Sequence, residues 1–141
     1  MGQELAVGMK HTRRIKVDKA RTIGFMGEAL RVYSTPSMVL DLEQTCNEFL
    51  RSRLDPDKNS VGAHVSVDHL GPTLLDMSVD VSIMVTAVEG RRVSFEVELR
   101  DELDLVGKAK HVRFIVDLAK QRERLETKAA RLKELRSATT G

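Results

Sequence analysis

A chain of 141 residues has the length of one ordinary domain, and two independent cores are not expected within it. It is 41% hydrophobic and 31% charged, a globular composition, and a net charge of +2 with no Trp and only five Phe and Tyr together speaks against a nucleic-acid partner. The single Cys46 excludes an internal disulfide and every multi-cysteine zinc motif, and it fits a reducing compartment. The opening residues lack the apolar core of a signal peptide. No stretch approaches the roughly 18 apolar residues of a membrane span, so a cytoplasmic protein without a membrane partner is expected.

In chain order, His11 to Val17 reads as a first strand with a weak alternating pattern. Ser34-Thr35-Pro36 then opens a helix in which Met38, Leu42, Cys46, Phe49 and Leu50 recur at helical spacing. Thr35 is expected as its N-cap, with Pro36 at the first helical position. The helix should stop before Asp55-Pro56, because a residue preceding proline avoids the helical region. Ala63, Val65, Val67 and His69 alternate along the next strand, and Met77 to Ala87 repeats the pattern. Glu89-Gly90-Arg91 is a tight reversal into Val93, Phe95, Val97 and Leu99. Arg100 to Asp104 breaks the rhythm before a last run from Ala109 to Val116.

Four strands joined by polar turns predict an antiparallel meander whose apolar face one amphipathic helix can cover. The fold class is therefore α+β, an antiparallel sheet wrapped around a long central helix. Residues 1–118 form this domain. Residues 119–141 are a basic C-terminal helix, Leu118 to Arg136, with a frayed end from Ser137 to Gly141. Lys120 to Arg136 holds seven basic and three acidic residues, a local +4 that leaves −2 for the rest of the chain. Leu125, Ala129 and Leu132 share a side of this helix and are expected to rest on the domain. The alternative heptad seam, with Gln121 and Lys128 at its second position, is poor.

Three polar residues are candidates for chemistry. Thr35 stands at the helix entrance, and Glu43 follows eight positions later beside the buried face. An unpaired carboxylate there costs several kcal/mol to desolvate, so it needs a partner or a task. His69 ends the strand face that should look towards the helix. His11, His64 and His111 have no metal-ligand spacing and are read as solvated or structural. No metal site and no cofactor are expected. Cys46, on the apolar helix face, is read as a buried inert thiol.

The strings TPSMVLDLE (Thr35 to Glu43), VGAHVSVDHLGPT (Val61 to Thr73), VEGRRVSFEVELRDE (Val88 to Glu102) and VGKAKHVRFIV (Val106 to Val116) resemble the hot-dog-fold thioesterases of the fluoroacetyl-CoA thioesterase type. The likeness runs from about residue 10 to 118, in the family's order. It implies a hot-dog fold, a homodimer or dimer of dimers with sites at the subunit boundary, and hydrolysis of an acyl-CoA substrate. Thr35, Glu43 and His69 match the family's catalytic threonine, glutamate and histidine. Gly62 and Arg113 match substrate-binding positions, the glycine through a backbone N–H facing the thioester oxygen.

The chain departs from the family's Gly-x-His-Glu-Arg step, which here reads Ala109-Lys110-His111-Val112-Arg113. Phe25 to Leu30 is also a poor counterpart of the apolar lid of the fluoroacetate-resistance enzyme, so only the general reaction is implied. These residue types suit it. A thioester carbonyl needs a proton acceptor near neutrality, which His69 can be, an attacking water or carboxylate, which Glu43 can supply, and donors for the oxyanion. A non-catalytic acyl-CoA or acyl-lipid binding protein of the same fold is the alternative. A hot-dog hydratase or dehydratase would carry a different His-bearing helix motif. A basic C-terminal helix could also steer the nucleotide phosphates of CoA.

Overall fold

The computed structural model describes residues 5–140. Strand β1 (Lys10–Lys16) leads through two single 3-10 turns and the short pair β2 (Thr22–Ile23) and β3 (Val32–Tyr33) into helix α1 (Thr35–Arg51). Four strands follow: β4 (Lys58–His69), β5 (Ser78–Glu89), β6 (Arg92–Arg100) and β7 (Leu105–Asp117). Helix α2 (Leu118–Thr140) continues directly from the last.

Helix α1 forms because its apolar side chains fall on one stripe. Met38, Leu42, Cys46, Phe49 and Leu50 are buried, and Asp41 and Thr45 lie on the same stripe. The N-cap is Ser34 rather than the expected Thr35. The Ser34 side chain accepts from the Ser37 backbone N–H at 3.2 Å, which moves Thr35 and Pro36 into the first helical turn. The helix ends at Arg51, ahead of Asp55-Pro56 as the proline rule requires.

The sheet is antiparallel with order β1-β5-β6-β7-β4. The expected meander holds for β5, β6 and β7 and fails for β4. That strand pairs with β7, Lys58 opposite Asp117 through His69 opposite Gly107, and not with β5. Residues 70–77 instead carry the chain across to the other edge, where the Asp76 N–H donates to Val17 and the Val17 N–H to Met77. Gly90, with φ of +62°, makes the tight turn between β5 and β6.

Val79, Val81, Ile83, Val85, Val93, Phe95, Val97 and Leu99 form the inner face and close on α1, where Phe49 meets Phe95 edge-on at 6.2 Å. Burying each such side chain contributes about 1.5–3 kcal/mol. The outer face is charged: Lys108 lies between Asp68 and Glu98 in register, and Lys110 lies opposite Glu96.

Helix α2 corrects two expectations. It runs through Thr140, so residues 137–140 are helical, while Gly141 lies outside the described residues. It also does not rest on the domain. Leu125, Leu132 and Leu135 are exposed, and Arg and Lys residues interrupt the leucine stripe of this helix, which follows β7 directly. Among the described residues no helix is long and apolar enough to cross a membrane.

Candidate active site

Two polar clusters line the contact of α1 with β4 and β7. The first is at the entrance of α1. With Ser34 serving as the cap, the Thr35 side chain is free, and its Oγ1 shares a hydrogen bond of 2.7 Å with His69 Nδ1. His69 is the last residue of β4 and half-buried. The Tyr33 ring stands nearly edge-on to its imidazole, with centroids 6.4 Å apart. Burial lowers the His69 pKa from the usual histidine value, against a smaller opposing effect of the Gly71 backbone. The imidazole is therefore neutral at pH 7 and able to accept a proton.

The second cluster surrounds Glu43, two turns further along α1. Arg113 Nη1 lies 3.9 Å from Glu43 Oε2. The guanidinium is fixed on β4: Nε donates to Ser60 Oγ at 2.8 Å and Nη2 to the Ser60 carbonyl at 2.9 Å. Only 8% of the Arg113 side chain is exposed against 36% for Glu43, so the carboxylate faces open space with the guanidinium behind it. Gly62, opposite Arg113 at a break in the β4–β7 register, covers this pair. A Cβ there would stand 3.0 Å from Glu43 Oε2 and 3.4 Å from Arg113 Nη1, so a larger residue would fit only if the carboxylate shifted by a few tenths of an ångström.

His111 completes the second cluster and was not legible as a site residue. It is buried; its Nδ1–H donates to the His64 carbonyl at 2.7 Å, and Nε2 accepts from Arg113 Nη1 at 3.3 Å. A carbonyl only accepts and a guanidinium only donates, so this geometry requires a neutral ring with its proton on Nδ1. Burial first, and the Arg113 charge further down, hold its pKa below the usual value. The unfolded chain therefore binds more protons below about pH 6.5, and stability is full above that pH and lost as pH falls, by at most about 1.4 kcal/mol per unit for this one group. His69 acts in the same direction. Urea midpoints at pH 7 and pH 5.5 check this: the acid midpoint should be the lower, and equal midpoints would contradict the assignment.

The remaining candidates fall outside both clusters. His11 Nε2 lies 3.2 Å from Glu48 Oε2, and His64 is exposed on β4. Cys46 is buried and its thiol is pushed up to about 12 by burial, which leaves it unreactive. Sequence reasoning also missed Ser60 and Asp41. Asp41 carried a signal, since a carboxylate on the buried helix stripe requires a partner.

A five-stranded antiparallel sheet wrapped on one long helix is a hot-dog fold, here with Thr–His and Glu–Arg clusters along that helix. A family profile described as fluoroacetyl-CoA-specific thioesterase matches residues 17–119, and the chain belongs to that family of thioester hydrolases. It is 28% identical over 127 residues, 85% of this chain and 91% of the relative, to the fluoroacetyl-CoA thioesterase of Streptantibioticus cattleyicolor. A solved thioesterase-superfamily member from Thermus thermophilus is 29% identical with a TM-score of 0.80, over 96% of this chain and 98% of that one. A point mutant of the fluoroacetyl-CoA-specific thioesterase, solved with fluoroacetate and CoA, is 29% identical with a TM-score of 0.75, over 82% and 98%.

Proposed function

We propose that this chain hydrolyses a small or medium acyl-CoA to the free acid and CoA at a Thr35/Glu43/His69 site formed across a dimer interface. The observation that carries the reading is the 2.7 Å bond between Thr35 and His69 at the start of α1, with an accessible glutamate further along the same helix. Eight residues of helix rise about 12 Å, too far for both ends to act on one carbonyl within a single protomer. Strand β4 is an edge, and antiparallel pairing with β4 of a second copy continues the sheet. That pairing brings the Gly62 end of one strand alongside the His69 end of the other. Each site then takes Thr35 and His69 from one protomer and Glu43 and Gly62 from its partner.

In this site the Glu43 carboxylate, 3.9 Å from the Arg113 guanidinium, takes a proton from water as the water oxygen adds to the thioester carbon. Alternatively it attacks that carbon itself, giving an anhydride that water then opens. Either route consumes one water. The Gly62 N–H meets the oxyanion, and the carbon–sulfur bond breaks to release CoA as a good thiolate leaving group. Neutral His69 accepts from the Thr35 hydroxyl and orients it towards the substrate. Arg113, expected as a substrate contact, is assigned to holding Glu43, since three of its five N–H donors are taken by Ser60 and His111 and the guanidinium lies buried behind the carboxylate.

Thiol release from acyl-CoAs of graded chain length tests the reading. Turnover is expected on short and medium chains, with kcat/KM falling on the acid side of a limb that lies below the ordinary histidine pKa of about 6.5. Tight acyl-CoA binding without thiol release would contradict it and identify a binding protein.

A further inference from the structure

Behind His69 stands a second polar chain that hydrolysis does not itself require. The Tyr33 hydroxyl donates to Asp41 Oδ2 at 2.6 Å, and Arg21 Nε donates to the same carboxylate at 3.0 and 3.2 Å. Arg21 Nη1 in turn donates to Asp18 at 2.8 Å. Tyr33 and Asp41 are almost wholly buried, and Asp41 lies on the apolar stripe of α1 among Met38, Leu42 and Thr45. Burial raises the Tyr33 phenol far above its usual pKa and the Asp41 bond adds to this, so the phenol stays a donor.

Net stability alone does not call for the arrangement, although removing one partner from it would be costly. Replacing a buried ion pair by apolar side chains of similar volume is often neutral or stabilising. What such a network adds is fixed orientation, and the one catalytic candidate it touches is His69. Resting on the catalytic reading of His69, we infer that Tyr33 is a positioning residue for it, its ring held edge-on against the imidazole by the phenol bond to Asp41 that Arg21 completes.

The groups facing His69 are Thr35 from α1, the Tyr33 ring from β3, the Gly71 backbone after β4 and Gly107 across the β4–β7 ladder. None carries a charge. Asp68, its neighbour on β4, points to the opposite face, and the charges of Asp41 and Arg21 lie behind Tyr33. The edge-on ring of Tyr33 is thus a neutral neighbour that limits the imidazole's motion and adds to its burial. Loosening that ring should let the His69 pKa rise towards the ordinary value.

Tyr33→Phe keeps the ring and deletes the tether, and Asp41→Asn is a second variant should the first not fold. In each, kcat is expected to fall about tenfold with KM within about twofold. The His69 imidazole, followed by NMR, should titrate at higher pH than in the native protein. A folded variant with native kcat, or with an unmoved His69 titration, would overturn the inference. His69→Ala separates the two levels. If it keeps native turnover, the catalytic reading fails, whereas its inactivity beside a native Tyr33→Phe removes only the positioning role. The titration reads the imidazole directly and needs no turnover.

Discussion

His69→Ala and Glu43→Ala are each expected to lower acyl-CoA turnover by at least about a hundredfold while leaving the fold intact. The two losses have different origins. Removing His69 leaves the Thr35 hydroxyl without its 2.7 Å partner and removes a neutral proton acceptor from the site. Removing Glu43 removes the group proposed to activate water or to attack the thioester carbon, and it leaves Arg113 with its Ser60 and His111 bonds but no carboxylate in front. Neither side chain is in the core, since Glu43 is 36% exposed and His69 ends its strand, so thermal midpoints should stay close to native. Circular dichroism and steady-state thiol release on the same preparations check the pair. Folded variants that keep most of their turnover would show that these residues are not the catalytic ones.

The parts of this molecule legible in its sequence were those written in local periodicity. The stripe Met38, Leu42, Cys46, Phe49 and Leu50 specified the buried face of α1, and period-two runs specified β5, β6 and β7. The place of β4 was not legible, because which edge a strand joins depends on pairing over long sequence separation, here with β7. Thr35 is not the cap for a local reason: Ser34 and Thr35 are both good caps, and it is Ser34 that keeps the extended backbone and accepts from the Ser37 N–H. That choice frees the Thr35 hydroxyl for His69.

The candidate site rests on ordered motifs more than on chemistry at fixed spacing. Thr35, Glu43, Gly62 and His69 are candidates on that ground, whereas the contacts of His111, Ser60, Tyr33 and Asp41 are visible only in the structure. Their roles are set by contacts across strands and by burial, which no single segment displays. The exposed leucines of α2 make the complementary point. A leucine stripe predicts a buried face only where basic residues do not interrupt it and the chain turns back onto its core.

The central claim is that each site draws Thr35 and His69 from one protomer and Glu43 from its partner, and mixing two inactive variants tests it most directly. His69→Ala and Glu43→Ala proteins, each dimeric by light scattering, are unfolded together and refolded at equal concentration so that protomers reassort. If the site spans the interface, a mixed dimer carries one doubly damaged site and one intact site. Random reassortment should then restore about a quarter of native turnover from two nearly inactive samples. If each site lies within one chain, every site keeps one lesion and the mixture stays as inactive as its parents, and that result would contradict the account.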